Sequence, residues 1–184
     1  MKLKAEEKEL LLKTARDAIK ARFRNEKVSP PASGIFDEEL GVFVTLKELG
    51  RLQGCCGFPY PIYPLGKAVV EAALTAAFRD PRFPPLQPEQ LPRISLDVSV
   101  LTEPELLAAD DRDEYPGLIR IGIDGLLLRY KSRSGLLLPV VATEYGMDGK
   151  RFLEALCHKA GLPPDTWREN DCDIFTFQAI VISE

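Results

Sequence analysis

The segment Leu52-Gln53-Gly54-Cys55-Cys56-Gly57 holds the residue types best suited to chemistry: two adjacent thiols set between glycines. Adjacent cysteines reach disulfide geometry only with strain, so the pair is expected as free thiols. Read as a strand, the segment alternates its side chains, which puts Leu52 and Cys56 on one face and Arg51, Gln53 and Cys55 on the other. Cys56, in register with Leu52, then serves as a small core hydrophobe. Cys55 faces the polar side. Glycine weakens a strand unless a ligand, a bulge or another backbone must come close, so Gly54 and Gly57 mark a crowded position. Cys55 is the candidate reactive thiol, with Gln53, Gly54 and Gly57 as candidate binding positions around it.

A nucleophilic thiol needs a nearby cation, base or helix amino terminus to favour its thiolate. Gln53 is neutral and supplies none. The chain has a single histidine, His158, which reads as an exposed helix residue. Its neighbour Cys157 points about 100° away around the helix, so the two form no dyad by adjacency. A zinc site drawn from Cys55, Cys56, Cys157, His158 and Cys172 lacks the spacers that bring paired ligands onto one ion. No metal and no cofactor are expected. The acidic run Asp110, Asp111, Asp113 and Glu114 reads as a solvated loop. No phosphate-binding glycine loop, nucleophile elbow or zinc-protease motif is present in the sequence.

The elements that must position these residues follow from periodicity. Residues 3–23 form an amphipathic helix with Leu11, Ala15, Ala18, Ile19 and Phe23 on one stripe, acids in its first turns and bases in its last. Residues 42–46 and 51–56 form a hairpin. A helix over 65–78 stops before Pro81, and a proline-studded connector over 80–93 is held extended. Residues 94–100 alternate without a fault as a half-buried antiparallel strand. Asp124-Gly125 reads as a two-residue hairpin turn between strands 118–123 and 126–130, and a third strand over 136–141 completes a meander. A helix over 148–160 has Asp148 as its cap and Gly161 as terminator. A last strand over 174–182 carries Phe175, Phe177, Ala179 and Val181 on one face. This order lacks the strand-helix-strand repeat of a parallel sheet, so the fold class is α+β with antiparallel sheets.

Composition narrows the function classes. The chain has 184 residues, 45% hydrophobic and 28% charged, enough to bury a core without disulfide or metal staples. Its net charge of −4 disfavours general nucleic-acid binding and attraction to anionic membranes. No apolar stretch approaches the roughly 20 residues of a membrane-spanning helix. The charged start Met1-Lys2-Leu3-Lys4 is unlike a secretory signal, and the expected location is cytoplasmic.

Several motifs together resemble one family. Leu52-Gln53-Gly54-Cys55-Cys56-Gly57 is similar to the Leu-Arg-Gly-Cys-Ile-Gly signature of the AMMECR domain family. The segments 76–86, Val98-Ser99-Val100-Leu101-Thr102, Gly122-Ile123-Asp124-Gly125-Leu126, 135–139 and Lys159-Ala160-Gly161-Leu162 resemble further family blocks in order, over roughly 41–184. The resemblance implies two subdomains with a cleft between them near the signature cysteine. The larger would hold 1–105 and 166–184, the smaller 106–165. Cys55 is the residue carried over. Gln53 stands where the signature has arginine, and Cys56 where it has isoleucine. The first change removes the charge beside the thiol. Arg82, in Asp80-Pro81-Arg82-Phe83, is a candidate substitute cation, its other reading being a solvated surface residue, and Phe83 is a candidate binding residue.

The family's prokaryotic members tend to be encoded with a Memo-type protein and a radical S-adenosylmethionine enzyme, which implies these as partners in a modification pathway. Two readings follow. In one the protein is a binding or scaffold module acting with a partner enzyme. In the other it is a small thiol-dependent enzyme in which Cys55 attacks or holds a substrate, while Arg82 and the glycine backbone bind an anionic portion.

Overall fold

The structure is a computed structural model that describes residues 2–184. The fold is α+β, and its antiparallel strands follow the order β2 (Arg51–Phe58), β1 (Gly41–Glu48), β3 (Ile94–Leu101), β7 (Asp173–Ser183), β5 (Asp124–Tyr130), β6 (Arg133–Leu137), with β4 (Glu105–Leu106) on β7. The chain divides into two units, Met1–Leu101 with Ile180–Glu184, and Thr102–Ala179.

In the first unit, helix α1 (Ala5–Phe23) and helix α2 (Leu65–Phe78) cover one face of strands β1 (Gly41–Glu48), β2 (Arg51–Phe58) and β3 (Ile94–Leu101). The stripe Leu11, Ala15, Ala18 and Ile19 is buried as its spacing requires. It meets Val42, Val44 and Leu46 of β1 and the alanine-rich face of α2, Ala68, Ala72, Ala73 and Ala76. Small side chains let α2 lie close to the sheet. The hairpin turn is Leu49-Gly50, both with positive φ, which is the backbone that matches strand twist in a two-residue loop. Residues Ile180–Glu184 return to this unit, where Glu184 accepts from Arg16 of α1 and from the Leu96 N–H of β3.

The connector after α2 is fastened, not loose. The buried Leu86 donates its N–H to the Ala77 carbonyl at 2.8 Å, and residues Pro88–Arg93 wind into a short 3-10 helix. The prolines pre-set the backbone for both.

The second unit contains β4 (Glu105–Leu106), α3 (Tyr115–Leu118), β5 (Asp124–Tyr130), β6 (Arg133–Leu137), α4 (Pro139–Glu144), α5 (Gly149–Lys159) and most of β7 (Asp173–Ser183). Asp148 caps α5 by accepting the Arg151 N–H at 2.8 Å, and Gly161 follows with positive φ. Its core is Leu126, Leu128, Phe152, Leu153, Leu156, Trp167 and Ile174.

The expected meander is corrected here. Asp124-Gly125 is the start of β5 rather than a hairpin turn, with Gly125 paired to Phe177. The Asp124 carboxylate accepts from the backbone N–H of Arg120, and Asp124 N–H donates to the Arg120 carbonyl, so the turn lies upstream, where Gly122 has φ +79°. A side chain at Gly125 would overlap the Phe177 ring, which explains the glycine without a turn. The expected third strand ends at Leu137 because Pro139 opens α4 in the first-turn position that proline favours. In β7 the buried residues are Ile174, Phe177 and Ile182, while Val181 is exposed, so the expected Phe175-to-Val181 face is fully buried only at Phe177. Strand alternation fails there because β7 serves two cores in succession.

One glycine sets how close α2 approaches β2. A Cβ at Gly54 would overlap the backbone carbonyl oxygen of Ala76, which cannot rotate away. Gly54→Ala is expected to destabilise the protein by about 1–3 kcal/mol, the scale of overpacking a fixed backbone. Gly117→Ala, with nothing within 4 Å, is expected to change stability by no more than about 0.5 kcal/mol. Denaturant unfolding of the two variants measures the contrast.

Candidate functional site

Cys55 lies on β2, which is an edge strand paired only to β1. Its register partner is Thr45, and its own N–H and C=O point outward from the sheet, as they do in a non-hydrogen-bonded antiparallel pair. An outward backbone pair on an edge must find water, another strand or a side chain. Here two side chains take it. Asp80 Oδ2 accepts the Cys55 N–H at 2.9 Å, and Arg82 Nη2 donates to the Cys55 carbonyl at 2.9 Å.

The local sequence brings them there. The Gly54 contact seats the end of α2 against β2, and the helix terminates at Arg79, whose N–H bonds to the Thr75 carbonyl. Asp80 follows directly, and its carbonyl accepts the Phe83 N–H at 3.2 Å to close a turn around Pro81. Within that turn Asp80 Oδ1 accepts from the Arg82 backbone N–H at 3.1 Å and from Arg82 Nε at 2.9 Å, while Oδ2 accepts Arg82 Nη2 at 2.7 Å. The Asp80 side chain is 2% exposed and that of Arg82 45%. Phe83 packs its ring 5.4 Å from the guanidinium. The hydrogen bonds from Arg82, helped by that from Cys55 N–H, hold the Asp80 carboxyl well below the usual carboxylate range against the opposing effect of burial. Arg82 is raised in turn, chiefly by its hydrogen bonds to Asp80.

The two thiols face opposite ways. Cys56, paired with Val44, packs against the helix-covered core. Burial, then the Asp80 carboxylate, pushes its thiol up to about 11, so it is protonated at neutral pH. Cys55 is half-buried on the other face, where the Thr45 hydroxyl donates to its sulfur at 3.3 Å. Thr45 also pairs with Asp97 of β3, and Asp97 meets Lys47 at 2.7 Å. Cys55, Thr45 and Asp97 therefore form a row across three strands, with Lys47 one step along on the same face.

The expected face-sharing of Leu52 with Cys56 does not hold. The register between β1 and β2 shifts between Leu46 and Lys47, so Lys47 pairs with Leu52, Leu46 with Gly54, and Gln53 is the extra residue. A bulge reverses the alternation on either side of it. Leu52 turns to the Cys55 face and is 43% exposed. Gln53 is half-buried at the bulge. Each glycine is accounted for by close packing: Gly54 by Ala76, and Gly57 by the Val42 carbonyl and the Phe43 ring, which fills the place of its missing side chain.

The structure brings Arg82 onto the Cys55 carbonyl, with Phe83 packed on the guanidinium, and adds the groups that decide what Arg82 can do. Asp80, Thr45, Lys47 and Asp97 were not among the residues singled out by sequence. Asp80 carried a signal, an acid two residues before an arginine at a helix end in a matched block. The Thr45–Asp97 row carried none, because cross-strand register is not readable from one segment. His158 is an exposed residue of α5 in the second unit, while Cys157 and Cys172 are buried there. Among the described residues no group of three or more histidines, cysteines or carboxylates is placed to hold a metal ion.

The AMMECR1 family model matches residues 12–182. A Methanothermobacter thermautotrophicus protein is 45% identical over 99% of this chain and 96% of its own. A Methanopyrus kandleri protein is 48% identical over 100% of this chain and 91% of its own. The crystal structure of an uncharacterized Pyrococcus horikoshii protein superposes with a TM-score of 0.95 at 42% identity, covering 100% of this chain and 94% of that one.

Asp80 links the site to acid stability. Because its folded carboxyl is depressed, its contribution is complete above the unfolded carboxylate range near about 4 and is lost as pH falls below it. Asp80→Asn is expected to cost about 2–3 kcal/mol at pH 7, the scale for hydrogen bonds to a buried charge. It is also expected to flatten the fall in stability below about pH 4. Urea unfolding across pH 2–7, wild type against variant, measures both.

Proposed function

The chain belongs to the AMMECR1 family, and on that premise we propose that it works as a binding module that presents the Cys55 edge of its first unit to a partner enzyme. The observation that carries this reading is the commitment of the two charges bonded to the Cys55 backbone. Asp80 and Arg82 are bonded to each other and to the backbone of Cys55, and among the described residues the hydrogen bond to the Cys55 sulfur comes from the neutral hydroxyl of Thr45. A base that could take the thiol proton is missing from that set, since Asp80 is held ionised by its partners and makes a poor proton acceptor. Cys55 then acts by shape and as a soft contact, and Leu52, exposed on the same face, adds apolar surface.

The partners this reading names are a Memo-type protein and a radical S-adenosylmethionine enzyme, by association with the family and within a cytoplasmic modification pathway. No helix among the described residues is long and apolar enough to cross a membrane.

The alternative is a thiol-dependent enzyme. A specific contact favours it: the Thr45 hydroxyl donates to the Cys55 sulfur and orients the thiol. Alkylation separates the two. With iodoacetamide at pH 7, Cys55 is expected to react no faster than glutathione, with Cys55→Ser identifying the site by mass. A rate about tenfold or more above glutathione would show an activated thiolate and overturn the binding-module reading.

A further inference from the structure

The second unit carries a small open pocket of about 170 Å³ that neither the thiol nor the family assignment uses. One wall is the turn before β5. There the Asp124 carboxylate, 4% exposed, accepts from Arg120 backbone N–H and Nε at 2.9 Å each and from Nη2 at 2.6 Å. Burial would raise the Asp124 carboxyl, but the hydrogen bonds from Arg120 outweigh it and hold the group below its ordinary value. The guanidinium is thereby locked through Nε and Nη2, its Nη1 makes no hydrogen bond among the described residues, and its side chain is 60% exposed. Glu103 and Glu105 line the same pocket, exposed and in no hydrogen bond or ion pair among the described residues. Glu105 lies near enough for its charge to act on Arg120. From β7, Thr176 and Gln178 supply neutral polar groups and Phe177 an apolar floor.

A pocket with a fixed, half-used guanidinium and two unspent carboxylates asks for a ligand carrying both charges. We propose that it binds a small zwitterion of the α-amino acid class, its carboxylate on the Arg120 Nη1 end and its ammonium on Glu105 and Glu103. Arginine presents its donors in a planar fork suited to a carboxylate, and the Asp124 lock removes the entropy cost of ordering it. Size agrees. A volume of about 170 Å³ admits several water-sized groups, the scale of a small amino acid. The proposal is independent of the Cys55 site, and neither reading depends on the other.

The test is an amide-proton NMR titration of the full chain with L-alanine, acetate and methylamine as separate probes. L-Alanine is expected to give saturable shifts at Arg120, Asp124 and Thr176. Acetate and methylamine each carry one of the two charges and are expected to bind at least tenfold more weakly. The double variant Glu103→Gln, Glu105→Gln changes exposed side chains that make no hydrogen bond or ion pair among the described residues, so it is expected to fold as the parent does while losing at least tenfold in L-alanine affinity. The proposal is overturned if L-alanine gives no saturable shifts up to millimolar concentration, if either single-charge probe matches it, or if the double variant binds it unchanged.

Discussion

A carboxylate at the edge of a sheet governs the first unit. Cys55 needs a partner for each of its outward backbone groups, and Asp80 with Arg82 supply an acceptor and a donor in the places where a neighbouring strand would. Everything near the thiol follows from that requirement. Gly54 must lack a side chain so that the end of α2 reaches β2, the helix must stop at Arg79, and the turn through Pro81 must fold Arg82 back on Asp80. An unpaired edge is a hazard for aggregation, and this ion pair occupies the backbone groups through which another strand would add to β2 at Cys55.

The same chemistry has different consequences in the two units. Each has an aspartate with little exposed surface gripped by an arginine that remains open to solvent, Asp80 with Arg82 and Asp124 with Arg120. In the first the guanidinium spends a further hydrogen bond on the Cys55 carbonyl and stabilises the strand. In the second the remaining donors open onto a pocket. Buried aspartates of this kind fix a positive group in one orientation, and what lies beyond that group decides whether the result is architecture or recognition.

Much of this architecture is legible in the sequence because local rules decide it. Helix α2 ends before Pro81 by the steric rule for residues ahead of proline, β3 alternates through its whole length, and Asp148 caps α5 as its place before the apolar periodicity requires. The core position of Cys56 also follows from its type, although the bulge removes the argument from Leu52. What is not legible depends on partners distant in sequence. The Asp124-Gly125 pair has the composition of a hairpin turn, yet Arg120 takes the aspartate and Phe177 covers the glycine. Thr45 meets Cys55 only through the hairpin register, and Asp80 gains its role only once α2 has docked on β2.

The central claim is that Asp80 and Arg82 complete the edge of the sheet at Cys55. Hydrogen exchange at the Cys55 amide tests it most directly, since that N–H has no backbone partner in its outward position. In the intact protein it is expected to exchange slowly, and in Asp80→Ala it is expected to lose that protection while the amides of α1 and β3 keep theirs. Fast exchange at Cys55 in the intact protein, or protection that survives Asp80→Ala, would contradict the account.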